Sequence, residues 1–116
     1  MKTEVWVSFN YGGWSLIFLK EFDLPFTPFY GMSLLDELDY SENDIRFVTN
    51  DYCETIITYN AKHKKFVVDV HNRWKWAVTD ETIDDTLKQF LNTNWERKDR
   101  TDISELKELM NRNKDK

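Results

Sequence analysis

Between residues 66 and 78 the large apolar side chains Phe66, Val68, Val70, Trp74, Trp76 and Val78 fall on even positions, and Asp69, His71, Arg73 and Lys75 fall on odd ones. A period of two is the mark of a β-strand with one dry face and one wet face. The same alternation runs through 3–10, with Val5, Val7 and Phe9 on one side and Glu4, Trp6 and Ser8 on the other. Gly12 and Gly13 follow, and a glycine pair between two alternating runs predicts a tight hairpin, because glycine takes positive φ without a steric penalty. The return strand, 14–24, holds Leu16, Phe18, Phe22 and Leu24 in one phase and Ile17 and Leu19 in the other, so its middle is expected to be covered on both sides. Pro25 and Pro28 end this hairpin, and 25–32 has no clean period, which predicts an extended loop packed by its own rings. A second hairpin is expected from 45–49 and 52–60, joined at Asn50 and Asp51, and a basic turn at 62–65 leads into the strand that starts at Phe66.

The period then changes. Ile83, Leu87, Phe90 and Leu91 lie at i, i+4, i+7 and i+8, which predicts a helix over about 80–92, capped by Asp80 and stopped by Asn92, Thr93 and Asn94. Asp102 with Glu105 three residues on forms a capping box for a second helix over about 102–112, with Ile103, Leu106, Leu109 and Met110 as its apolar stripe. The polar tail 111–116 is expected to fray. Strands in 3–78 followed by helices define an α+β fold. It is expected to be one domain over 1–116, with a single-layer, mainly antiparallel twisted sheet and two C-terminal helices packed on one face.

Composition sharpens this picture in two respects. Aromatic residues make up 16% of the 116 positions, and each large ring buries roughly 150–250 Å², so a small core can be built on rings. The net charge of −5 is unevenly spread: residues 1–59 carry three basic and ten acidic side chains, and 60–116 carry thirteen and eleven. Duplex DNA-binding proteins draw their affinity from a basic excess, which the first half lacks. The lone Cys53 excludes an intramolecular disulfide, and the longest apolar run, 16–19, is far too short to span a bilayer. A reducing, cytoplasmic setting is the simplest expectation. Short, acidic and rich in Asn and Lys, the chain has the composition of stand-alone accessory proteins such as those of bacteria, phages and mobile elements.

No phosphate loop, GxSxG elbow, HExxH or CxxC is present, so the sequence names no catalytic residue, metal or cofactor. His63, His71, Cys53 and Asp69 could be assembled on neighbouring strands around a metal, but the basic turn around His63 repels a cation. Asp69 and His71 share a strand face, which permits an Asp–His pair. In the acidic run 36–44, Asp39, Ser41 and Asn43 match a calcium loop, but Asp44 stands where Gly is needed and Asn50 where Glu is needed.

Three functional readings remain. The first is a non-enzymatic protein-interaction module: Phe29 and Tyr30 of the proline loop would anchor another, basic protein, and Asp36, Asp39 and Asp44 would steer it. Trp6, Tyr11, Trp14 and Phe26 add to a stock of rings that a small core does not obviously need. The second is a single-stranded nucleic-acid binder that uses Arg73, Lys75, Arg97, Lys98 and Arg100. The third is a small-ligand site, for example for carbohydrate, or a minor enzyme near Asp69 and His71.

Overall fold

The computed structural model describes residues 1–11, 14–34, 45–50, 53–72, 83–99, 102, 104, 105 and 108. Two long strands, β1 (Lys2–Tyr11) and β2 (Trp14–Asp23), form the expected hairpin, with Tyr11 paired to Trp14 across a two-residue connection. A short pair, β3 (Ser33–Leu34) and β4 (Ile45–Arg46), follows. Then come β5 (Cys53–Asn60), β6 (Lys65–Asn72), the helix α1 (Ile83–Asn92) and a final β7 (Glu96–Arg97). The main sheet has the order β5-β6-β1-β2-β7. All its pairings are antiparallel except β1 with β6, which run parallel in the centre.

The alternation translates directly into layers. Val5, Val7, Phe9 and Tyr11 of β1, Leu16 and Phe18 of β2, and Val68 and Val70 of β6 are buried on one face. That face is covered by α1 and by the β3–β4 pair, which contribute Ile83, Phe90, Leu34, Ile45 and Phe47. The rings of Phe9, Phe18 and Phe90 form one stack, with centroids 4.4 Å apart for Phe18 and Phe90 and 5.7 Å apart for Phe9 and Phe90. On the other face none of the described residues is buried: Trp6, Ser8, Ile17, Leu19, Val67 and Asp69 are half-buried, and Ile56, Thr58 and His71 are exposed.

Helix α1 stops as the sequence predicts. Asn94 takes φ 69°, and the Trp95 N–H donates to the Phe90 carbonyl at 3.1 Å. This is a Schellman cap, in which the left-handed residue turns the chain and an apolar contact closes the end. The contact here is Phe90 against Trp95, edge-on at 5.4 Å. Lys20 Nζ donates to the Thr93 carbonyl at 2.6 Å and places a cation at the helix C-terminus, where the helix dipole favours one.

Two expectations are corrected. The described residues show one continuous helix, α1, where two were expected, with 104, 105 and 108 the described helical positions beyond it. Of the second, over about 102–112, only residues 102, 104, 105 and 108 are described, and there the Glu105 N–H donates to Asp102 Oδ1 at 3.2 Å. The hairpin expected from 45–49 and 52–60 does not form as a strand pair, because Ile45 and Arg46 pair with β3, and β5 pairs with β6. The proposed Asp80 cap and the residues Trp74 and Trp76 lie outside the described residues.

Candidate functional site

The proline loop crosses beneath the sheet from the end of β2 to the outer edge of β5. Leu24 and Pro28 are buried along this path, and Met32 seats under the core as the chain enters β3. Gly31 takes φ 95°, a conformation that side-chain-bearing residues resist, and its N–H donates to the Phe47 carbonyl at 2.7 Å. Phe47 returns the contact by donating to the Met32 carbonyl at 3.0 Å. The loop is thus tied into the β3–β4 ladder.

Its rings are nevertheless outside. Phe26 is 47% exposed, Phe29 54% and Tyr30 58%, and the Phe26 and Phe29 rings lie 6.1 Å apart. Tyr30 is held by its hydroxyl, which accepts from the Ile57 N–H at 3.1 Å on the edge strand. Tyr59, two residues further along the same strand, is half-exposed and packs on Phe66 at 4.9 Å. Of the other rings singled out in the sequence, Tyr11 is fully buried, Trp6 is half-buried and Trp14 is exposed. Asp36, Asp39 and Asp44, the acidic partners assigned to this loop, lie outside the described residues.

The cationic set is also only partly described, since Arg73, Lys75 and Arg100 lie outside it. Arg97 forks onto Asp99, with Nη2 to Oδ2 at 2.8 Å and Nε to Oδ1 at 3.2 Å. Asp99 is nearly buried and also accepts from the Ile17 N–H at 3.0 Å, so this pair belongs to the sheet edge. Lys98 Nζ meets Glu96 Oε1 at 2.8 Å.

On the sheet face opposite the core the register brings together residues that the sequence leaves far apart. His71 of β6 lies opposite Ser8 of β1 and opposite Glu54 of β5. Ser8 Oγ and His71 Nδ1 are 2.7 Å apart. These three residues with Asn10, Ser15 and Ile56 line a shallow depression of about 280 Å³. Asp69 is one row away, opposite Trp6 and Ile56. Loss of water around its carboxyl pushes the Asp69 pKa above the ordinary carboxylate value, and the nearby His71 opposes this. Glu4 accepts from Trp6 Nε1 at 3.1 Å and is bridged by the Lys65 ammonium. The Lys65 hydrogen bond holds the Glu4 carboxyl below its usual value.

The four donors considered for a metal do not converge. Cys53 faces the core side and His71 the opposite side, and His63 sits in the turn at the far end of the β5–β6 hairpin. Among the described residues no group of three or more His, Cys, Asp or Glu is placed to hold an ion. Ser8, Asn10, Ser15 and Glu54 were not singled out in the sequence. Only the parallel register of β1 on β6 places Ser8 beside His71, and neither strand encodes that register alone. Among the described residues no helix is long and apolar enough to cross a membrane. Comparison of the chain with protein-family models, with curated proteins and with solved structures finds no match.

Proposed function

We propose that the protein is a non-enzymatic interaction module that binds another protein through the rings of loop 25–30 and the acidic stretch 36–44, in a reducing cytoplasmic setting. The observation that carries this reading is the contrast within the loop. Its framework (Leu24, Pro28, Met32 and Phe47) is buried, while Phe26, Phe29 and Tyr30 present about half of their surface to water. Large rings fixed on a buried frame lose little side-chain entropy on binding, and such rings are the usual energetic anchors of protein interfaces. The acidic excess of the first half of the chain selects a basic partner and speeds the encounter.

The test is photo-crosslinking in the native host with p-benzoylphenylalanine at position 29, and at position 56 as a control on the opposite face. The reading predicts one discrete adduct with a second protein from position 29 and none from position 56. The purified partner then binds the purified chain, and association slows with salt and on combined Asp36→Asn, Asp39→Asn and Asp44→Asn substitution. Adducts solely between two copies of the chain, equal adducts from both positions, or a partner indifferent to the three aspartates would overturn it.

A further inference from the structure

Lys62, His63, Lys64 and Lys65 are the longest run of basic side chains in a chain of net charge −5. The β5–β6 hairpin places the first three in its turn, where all are exposed, and Lys65 opens β6. The turn is held in shape: Asn60 Oδ1 accepts the His63 N–H at 3.2 Å, and Lys64 takes φ 52°. Glycine or asparagine meets that backbone requirement more easily. A lysine here therefore strains the turn, and strain of this kind collects at functional positions. Of the acids at this end of the sheet, Glu4 is bound by Lys65, Glu21 lies opposite Glu4 on β2, and Asp23 lies opposite Lys2 and meets the Met1 amine. Among the described residues neither Lys62 nor Lys64 forms an ion pair. Tyr59, just before the turn, packs on Phe66 at 4.9 Å and stays 52% exposed.

Exposed lysines beside an exposed ring select a polyanion that also carries a flat apolar surface. A lipid surface fits poorly, because Ala61 is the only apolar side chain of the turn and has too little bulk to insert among acyl chains. An acidic peptide satisfies the lysines, but exposed lysine–carboxylate pairs contribute little, and a carboxylate has no flat face to lay on the ring. A nucleic-acid duplex keeps its bases stacked on one another, away from Tyr59. A single strand offers phosphates to the lysines and an unstacked base to the ring at once, which is how proteins bind such strands without reading their sequence. We infer that the β5–β6 turn and Tyr59 form a contact site for single-stranded nucleic acid, with a base stacked on Tyr59 and phosphates met by Lys62 and Lys64. The site does not depend on the protein-binding loop. Its cations also differ from those that the sequence suggested, since Arg97 is forked onto Asp99 and Lys98 is held by Glu96.

The test is fluorescence anisotropy of labelled oligothymidylate and oligouridylate with the full chain across a salt series, with phosphatidylserine vesicles and polyglutamate as competitors. The oligonucleotides are expected to bind at low salt, with log affinity falling against log salt by about 0.7 for each phosphate contacted. Lys62→Gln and Lys64→Gln are each expected to flatten that slope by about 0.7, and Lys98→Gln, at the far edge of the sheet, to leave it unchanged. Lys64→Gly is expected to weaken binding while raising the melting temperature, which separates contact from folding. Tyr59→Ala is expected to weaken binding roughly tenfold with the slope intact. No binding at low salt, vesicles or polyglutamate competing as well as unlabelled oligonucleotide, parental slopes in both glutamine variants of the turn, or parental affinity in folded Tyr59→Ala or Lys64→Gly would overturn the inference.

Discussion

Thr49 Oγ1 donates to the Thr55 carbonyl at 3.3 Å and accepts from the Thr55 N–H at 3.4 Å, so one hydroxyl takes the place of a neighbouring strand at the outer edge of β5. The same edge is served on one side by Asn50, whose N–H meets the Cys53 carbonyl and whose Oδ1 accepts the Cys53 N–H. Tyr30 takes the Ile57 N–H on the other side. At the opposite edge, Asp99 and Lys98 occupy the N–H and carbonyl of Ile17. Exposed strand edges invite pairing with other chains, and here the side chains of Thr49, Asn50 and Tyr30 occupy backbone groups along the outer edge of β5. Thr49→Val combined with Tyr30→Phe is expected to cost about 1–2 kcal/mol and to produce concentration-dependent association. Urea unfolding and sedimentation velocity measure the two effects, and a variant that stays monomeric at all concentrations would contradict this account of the edge.

The Phe9–Phe18–Phe90 stack packs α1 against the sheet. Phe90→Ala is expected to cost about 3–5 kcal/mol, and Phe90→Leu clearly less. Equilibrium denaturation gives both values, and equal small losses would show that α1 is held elsewhere.

Lys64 carries φ 52° in the β5–β6 turn, a left-handed conformation without the relief that glycine has. Lys64→Gly is expected to raise stability by about 0.5–1 kcal/mol. A lower melting temperature in that variant would mean that the side chain compensates for the strain.

Acid sensitivity follows from Glu4. Its carboxyl is depressed mainly by the Lys65 hydrogen bond, so its contribution is present above the ordinary carboxylate pKa and is lost as pH falls through the depressed value. Lys65 is raised by the same bond, and its contribution is full below the ordinary lysine value and is lost as pH rises through the raised one. Melting curves of the parent chain and Glu4→Gln are expected to converge at acid pH and to separate near neutrality, with the parent more stable. Parallel curves would remove the pair from the stability account.

Asp69 works in the opposite sense. Partial burial raises its pKa, so the folded state holds its proton more tightly than the unfolded chain, and stability falls as pH climbs from the ordinary carboxylate value through the raised one. Asp69→Asn is expected to be more stable than the parent chain at neutral pH and to lose that advantage below the ordinary carboxylate range. A neutral-pH loss of stability would assign the carboxylate a favourable partner.

The layers of this fold were legible because period two is a local property. Val5, Val7, Phe9, Val68 and Val70 are buried as their parity requires. The Schellman stop at Asn94 is likewise written in adjacent residues. What local reading could not give was pairing. Ile45 and Arg46 have ordinary strand chemistry, and their choice of β3 over β5 depends on where the proline loop carries the chain. The row Ser8–His71–Glu54 exists because β1 runs parallel to β6, a relation between segments more than sixty residues apart. Rings on an irregular loop carry no period, so the outward placement of Phe26, Phe29 and Tyr30 depended on the tertiary structure.

The binding reading stands or falls on Phe29. With the crosslinked partner purified, the dissociation constant of Phe29→Ala is expected to rise at least tenfold, with an unchanged melting temperature. Ile56→Ala, on the opposite face, should bind as the parent chain does. Parental affinity in a folded Phe29→Ala protein would contradict the assignment of the proline loop as the contact surface.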